Sequence, residues 1–256
     1  MTIERFSLEG TVVLITGASS GIGRTLAPAL AQAGAAIVAT ARRMDRLEQL
    51  VAEIRAAGGT ATAVTMDVTD TDSVKAAYDH AESEIGMVNA VINNAGMGSG
   101  RPFQDANKEQ YDLTMATNVD GVWNVAQEAV QRLIAAKQPG SIVNVASILG
   151  LGGKNHNAAY CTSKGAVVQL TRAMAMDLAK FGIRVNTLAP GWYVTEITEE
   201  YLTSEAGLAY MKRTPARRAG ELEELIGPVM MLLSPSASFV NGIVLPVDGG
   251  HSAAVI

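Results

Sequence analysis

The run Thr16-Gly17-Ala18-Ser19-Ser20-Gly21-Ile22-Gly23 separates a β-rich stretch, Val12 to Thr16, from a helical one. Its glycines permit a tight turn and close backbone approach. The helix that follows offers unpaired N–H groups and a positive dipole end, which together suit a pyrophosphate. The segment therefore reads as a dinucleotide cradle, although its GxxxGxG spacing differs from the GxGxxG fingerprint. The same residues also fit GxSxG, the nucleophile elbow of serine hydrolases, with Ser19 as nucleophile. That alternative lacks an earlier strand and loop to supply the second oxyanion-hole donor, so the cradle is preferred.

A second β-rich stretch, Ala36 to Thr40, runs into Ala41-Arg42-Arg43. An acidic residue at such a strand end grips the adenosine ribose hydroxyls, whereas arginine accommodates a 2′-phosphate. Here no carboxylate is present, and two guanidinium groups follow that are able to form charge-assisted bonds to phosphate. NADP is expected over NAD; for Arg43 and Arg46 a solvated helix start is the alternative. Further along, Tyr160 and Lys164 are four residues apart on an expected helix and share one face. The pair alone is a weak signal, but Ser147 corroborates it. It follows the strand Ser141 to Val145, at the carboxyl edge where open α/β sheets place ligands.

The elements that must position these residues follow from hydrophobic patterning. Short β-rich runs recur at Val12 to Thr16, Ala36 to Thr40, Ala61 to Met66, Ala90 to Ile92, Ser141 to Val145, Ile183 to Leu188 and Ile243 to Val247, with helical patterns between them. Strands apolar on both faces and alternating with helices indicate a parallel sheet covered on each side. No linker, repeat or low-complexity tract divides the chain, so its 256 residues are expected to form one doubly wound α/β domain over 1–256. Two helices, Met115 to Ala136 and Ala158 to Lys180, carry apolar residues on more than one side. A subunit interface and deep burial within one chain stand as equal alternatives there.

Composition removes several classes of function. Hydrophobic residues at 48% and charged residues at 18% argue against disorder. A net charge of -5 offers no general attraction to nucleic acid or an anionic membrane. One cysteine, Cys161, and three histidines without ligand spacing make a metal site an unpromising reading. The longest uncharged stretch, between Arg24 and Arg42, contains Pro28, Gln32, Gly34 and Thr40, and divides better into helix and strand than into a membrane span. Charged residues Glu4, Arg5 and Glu9 precede the first apolar run, unlike a secretory signal, so a cytoplasmic protein is expected.

With these residues in place, the chain resembles the short-chain dehydrogenase/reductase family in its single-domain form. The match runs in order through Thr16 to Gly23, Asp67-Val68, Asn93-Asn94-Ala95-Gly96, Asn118, Ser147, Tyr160-Cys161-Thr162-Ser163-Lys164, Pro190-Gly191 and Val247-Asp248-Gly249-Gly250. The resemblance implies a seven-stranded Rossmann fold, a nicotinamide-dependent oxidoreductase and a homotetramer or homodimer. Within the family the chain is similar to 3-oxoacyl-carrier-protein reductases and to sugar or polyol dehydrogenases. A non-catalytic nucleotide-binding subunit or sensor on the same fold is the alternative.

By the same resemblance, Tyr160 is expected to be the general acid toward a carbonyl or the base toward an alcohol. Moving a phenol from about 10 toward 7 requires roughly 4 kcal/mol of preference for phenolate. A cation at about 4 Å supplies a comparable amount, so Lys164 together with oxidised nicotinamide would suffice. Lys164 is also expected to bind the nicotinamide ribose, and Ser147 the substrate oxygen. Asn118 is expected to hold a water that links Lys164 to solvent, or else to mend backbone bonding at a helix kink. Gly17, Ser19, Ser20, Gly21, Ile22 and Gly23 would form the cradle. Asp67 and Val68 fall to the adenine, Asn94, Ala95 and Gly96 to the adenosine and its ribose, and Pro190, Gly191, Tyr193 and Thr195 to the nicotinamide side; Asn93 is read as structural. Two departures stand out. Tyr193 replaces the family's Ile or Val, and Lys154-Asn155-His156-Asn157 replaces a stretch that often holds proline. His156 is expected either at the substrate or, in the blander reading, in solvent. Residues 195–218 fall where the family has a substrate lid, and Lys212, Arg213, Arg217 and Arg218 there suggest either a solvated helix end or a site for an acidic carrier or phosphorylated substrate.

Overall fold

The computed structural model describes residues 4–98, 100–196 and 198–253. Its strands are β1 (Val12–Thr16), β2 (Ala36–Ala41), β3 (Thr60–Thr65), β4 (Ala90–Asn93), β5 (Gly140–Val145), β6 (Ile183–Pro190) and β7 (Val244–Val247). They form one sheet in the order β3-β2-β1-β4-β5-β6-β7. Every pairing is parallel. Between them lie α1 (Gly21–Gln32), α2 (Met44–Ala56), α3 (Thr71–Glu84), α4 (Lys108–Met115), α5 (Gly121–Ala136), α6 (Ala158–Leu178), α7 (Glu199–Thr203), α8 (Glu205–Met211) and α9 (Ile226–Leu233).

The two-residue period of a strand decides which helices cover which face. Val13 and Ile15 of β1 pack with Leu26, Leu50 and Val229 of α1, α2 and α9. Leu14, between them, packs into the opposite layer with Tyr78, Val125 and Ala175 of α3, α5 and α6. Because β1 has β2 on one side and β4 on the other, the chain leaves its carboxyl end in one direction and later returns on the other. A crevice opens at that reversal, as it does in open α/β sheets generally.

All the expected strands are present, with ends moved by a residue or two. The largest difference is β6, which continues through Ala189 to Pro190. A proline lacks only the donor, and the ladder resumes at once through Gly191 N–H to Val247 O at 3.0 Å. The stretch expected as one helix from Met115 to Ala136 holds a π turn at Ala116–Asp120, which separates α4 from α5. Such a turn inserts an extra residue and is frequent at functional sites. Here it contains the fully buried Asn118. The apolar breadth of α5 and α6 divides between the two alternatives. Val125, Ala129 and Leu133 are buried in this chain, while Trp123 is 52% and Met176 82% exposed. No helix among the described residues is long and apolar enough to cross a membrane.

Candidate active site

The crevice at the carboxyl ends of β1, β2, β4, β5 and β6 is a cavity of about 940 Å³. Its floor at one end is the glycine-rich turn. Gly17 has φ +67°, and a Cβ there would stand 3.0 Å from both Ala95 Cα and Asn94 Nδ2, so only glycine lets the turn lie against the β4 loop. The contact is held by Thr16 and Asn94. The Thr16 hydroxyl accepts from the N–H groups of Asn94 (2.9 Å) and Ala95 (2.8 Å), and Asn94 Nδ2 donates to Thr16 O at 2.9 Å. Asn94 thus secures the turn as well as lining the cavity. At the start of α1 the Ser20 side chain makes no capping bond, and no acidic residue occupies the first turn. The helix end is thereby left open to an anion.

The two arginines after β2 behave differently. Arg43 turns back over the cradle, donating to Ser19 Oγ (3.0 Å) and Ser20 Oγ (3.0 Å), and it and Arg46 both pair with Glu196. Arg42 is exposed on the cavity wall, with neither a hydrogen bond nor an ion pair among the described residues. Beside it, Asp67 accepts from the Thr69 N–H and hydroxyl (2.9 and 2.8 Å); these bonds, with a smaller contribution from Arg42, hold its carboxyl below the ordinary value. Val68 lines the same wall. Among the described residues Ser19 accepts only from Arg43, and none of the three histidines lines the cavity, so the hydrolase reading finds no base for its nucleophile.

At the other end Ser147, Tyr160 and Lys164 converge on the cavity wall. Ser147 sits just beyond β5, where its Oγ accepts from Leu149 N–H at 3.1 Å. Lys164 Nζ donates to Val145 O at 2.9 Å and lies 5.7 Å from the centre of the Tyr160 ring. Burial pushes its pKa down to about 8, and no carboxylate pairs with it among the described residues. Tyr160 is shifted upward, chiefly by burial, with the Ser147 hydroxyl opposing. Burial thus holds the phenol up in the free chain, whereas the lowering expected from Lys164 acting together with oxidised nicotinamide concerns the cofactor-bound state. Gly96 passes close by: a Cβ there would lie 3.3 Å from Asn118 Oδ1 and 3.4 Å from Lys164 Nζ.

Asn118 is committed to the scaffold. Its Nδ2 donates to Met97 O (3.0 Å) and Ser163 Oγ (3.0 Å), while Oδ1 accepts from Met97 N–H (2.8 Å). Both amide hydrogens are used within the chain, as a polar residue at a helix irregularity requires, while Oδ1 keeps a second lone pair to which a water can donate. Asn93 is also structural, donating to Asn144, which in turn donates to Thr171 on α6.

The roof comes from the segment after β6. Gly191 lies against Asp248, where a Cβ would approach to 2.7 Å, and Thr195 stands over Gly21, 3.6 Å from the position of a Cβ there. The Tyr193 ring turns away from the substrate end into the core: its hydroxyl donates to Val247 O at 2.9 Å, and the ring fills the space that a side chain at Gly220 would need. Burial pushes its pKa up to about 12. Tyr193 still lines the cavity, and its phenol ties the segment after β6 to β7. Beyond it, α7 and α8 follow, with Ile197 outside the described residues. Lys212, Arg213, Arg217 and Arg218 are exposed, none lines the cavity, and Arg218 is paired with Glu224 (2.7 Å), as a solvated helix end would be. His156 is exposed too and does not line the cavity.

Among the lining residues to which the sequence assigns no role, Lys154, Trp192 and Tyr201 meet at the substrate end. A faint signal existed, since half of the six tyrosines are among the aromatic residues gathered between 192 and 210.

Comparison with known proteins agrees with this geometry. Residues 17–252 match the family model described as Enoyl-(Acyl carrier protein) reductase. The chain is 41% identical over 253 residues to gluconate 5-dehydrogenase of Gluconobacter oxydans, covering 98% of each. It is 36% identical over 243 residues to a 3-oxoacyl-(acyl-carrier-protein) reductase of Thermotoga maritima, covering 95% of this chain and 98% of that protein. The crystal structure of a gluconate 5-dehydrogenase from Burkholderia cenocepacia, in complex with NADP and tartrate, superimposes with a TM-score of 0.96 over 100% of both chains at 39% identity. The chain is an oxidoreductase belonging to the short-chain dehydrogenase/reductase family.

Proposed function

We propose that the protein interconverts a ketone and a secondary alcohol by direct hydride transfer with NADP(H), using Tyr160 as general acid or base. The observation that carries this reading is a single cavity with an open helix end and Arg42 at one end, and Ser147, Tyr160 and Lys164 at the other. The fit to a phosphorylated dinucleotide rests on that uncapped helix, on the unpaired Arg42, and on the buried Lys164 ammonium, whose one protein acceptor is Val145 O among the described residues. Bound NADP(H) supplies or accepts the hydride.

The chain's own residues handle the oxygen and its proton. In reduction the Tyr160 hydroxyl gives its proton to the substrate oxygen as negative charge develops there; in oxidation the phenolate removes it. Ser147 donates a hydrogen bond to the same oxygen and fixes its position. The Lys164 cation, 5.7 Å from the ring centre, favours phenolate by about 3 kcal/mol at an effective dielectric of 20. That is less than the shift requires, and the positive charge of the oxidised cofactor supports the remainder. Lys164 also holds the ribose beside it, and Asn118 acts as a positioning residue that secures Met97 to α6. Residues 1–256 act as one NADP-binding domain with a substrate lid at 195–218. The exposed Trp123 and Phe103 favour a homodimer or homotetramer, and the protein is assigned to the cytoplasm.

A panel of ketones and alcohols, followed by cofactor absorbance with NADPH and NADH, tests the reaction. Turnover of at least one ketone–alcohol pair, with NADPH preferred, is expected. Tight cofactor binding without turnover of any carbonyl would instead support a non-catalytic nucleotide-binding protein.

A further inference from the structure

Lys154 lies on the loop between the turn that begins at Ser147 and the helix that carries Tyr160, and lines the same cavity as both. Its ammonium is walled by three rings, with Nζ 3.9 Å from the centre of Trp192, 4.7 Å from Tyr201 and 5.7 Å from Tyr210. The rings brace one another at centroid distances of 5.4, 5.9 and 6.5 Å. The outermost is fixed by a hydrogen bond between Tyr210 OH and His251 Nε2 at 3.1 Å. Trp192 and Tyr201 also line the cavity. The cage holds the cation in place through ring quadrupoles, which fix its position without cancelling its charge. No carboxylate pairs with Lys154 among the described residues, and burial holds its pKa below the ordinary lysine value. A pinned and uncompensated cation on the wall of the cavity that also holds Tyr160 attracts an anion from the substrate.

We propose that Lys154, held by Trp192, Tyr201 and Tyr210, is the specificity-determining residue that binds a carboxylate of the substrate, so that the protein acts on hydroxy and keto acids. This rests on the proposed ketone–alcohol reaction in the same cavity. The exposed basic residues of the lid, by contrast, lie away from the cavity and play no part in it.

The test is binding of tartrate and gluconate, each against its uncharged polyol, threitol and sorbitol. Calorimetry is run with NADPH present, so that these alcohols form complexes without turnover. A charge-assisted bond predicts that wild type binds each acid about 10- to 150-fold more tightly than its polyol. Lys154→Met, which keeps the aliphatic stem in the cage, should erase that preference while leaving polyol binding within a few-fold. Lys154→Arg should restore most of it, since a guanidinium also stacks on aromatic faces. Absence of an acid preference in both pairs overturns the proposal, as does a preference that survives Lys154→Met. Equal weakening of acid and polyol also overturns it, because the cage would then serve only to hold the lid. If the acids bind as expected but no alcohol reduces NADP, the reaction assignment fails and the carboxylate site stands.

Discussion

The two ends of the cavity are built on opposite principles. At the nucleotide end all but Arg42 among the polar side chains described above satisfy one another: Thr16 with Asn94 and Ala95, Asp67 with Thr69, and Arg43 with Ser19, Ser20 and Glu196. At the substrate end two lysines, the half-buried Lys154 and the buried Lys164, have no carboxylate partner among the described residues. The fold is able to compensate a cation where structure alone requires it. Arg132 between α3 and α5 pairs with Asp79, Glu82 and Glu128 at once. The contrast teaches that the cradle is rigid by internal hydrogen bonding, while the substrate end holds charge in reserve for what it binds.

Breaking the chemistry at the substrate end gives the largest expected effect. Tyr160→Phe should lower turnover by at least about 100-fold, the range for a lost general acid, while NADPH affinity stays within a few-fold. Steady-state rates and cofactor titration on the same preparation separate the two. Near-normal turnover would show that the proton is moved by another group.

Removing the reserved charge is the next step down. The folded-state pKa of Lys164, about 8, lies below its ordinary 10.5, so its charged form is disfavoured by the fold. Below pH 8 both folded and unfolded chains hold the proton, and the penalty is fully present. Between about pH 8 and 10.5 the folded chain releases the proton first, and the penalty fades. Wild type should therefore gain stability relative to Lys164→Met by up to about 3 kcal/mol across that window, as read from denaturant unfolding at a series of pH values. A difference independent of pH would mean that the ammonium is compensated after all.

Glu196 offers the smallest perturbation. It is the exposed carboxylate that occupies Arg43 and Arg46 across the mouth of the nucleotide end. Glu196→Gln should leave stability close to that of wild type, as expected for a surface pair. It should tighten NADPH binding by a few-fold at low salt and NADH binding less, because the 2′-phosphate adds the negative charge that the freed arginines attract. Weaker NADPH binding would show that Glu196 supports the arginines rather than competing for them.

The same contrast explains what was legible in the sequence. The cradle is local: a strand, a glycine-rich turn and a helix start are contiguous, so spacing exposes them. Ser147, Tyr160 and Lys164 were legible as well, because each sits at a fixed place relative to a strand end or helix face. The strands could be read because those buried on both faces form unbroken apolar runs. The cage around Lys154 was not legible, since 154, 192, 201 and 210 meet only through the path of the chain after β6. The π turn at Ala116–Asp120 was legible only through the alternative reading of Asn118 at a helix kink, since no proline or glycine inside it marks the place. The upward shift of Tyr160 depends on burial, which spacing does not reveal.

The proposed division of labour has one cavity reading the cofactor phosphate and carrying out proton transfer with separate residues. It is tested most directly by titrating NADPH and NADH against wild type and Arg42→Ala, with turnover measured at saturating NADPH. Loss of one charge-assisted bond predicts NADPH binding weakened by about 10- to 150-fold. NADH binding should be little changed, since it lacks the group that loses a partner, and turnover at saturation should stay near wild type. Equal losses for the two cofactors, or a wild-type preference for NADH, would contradict the account.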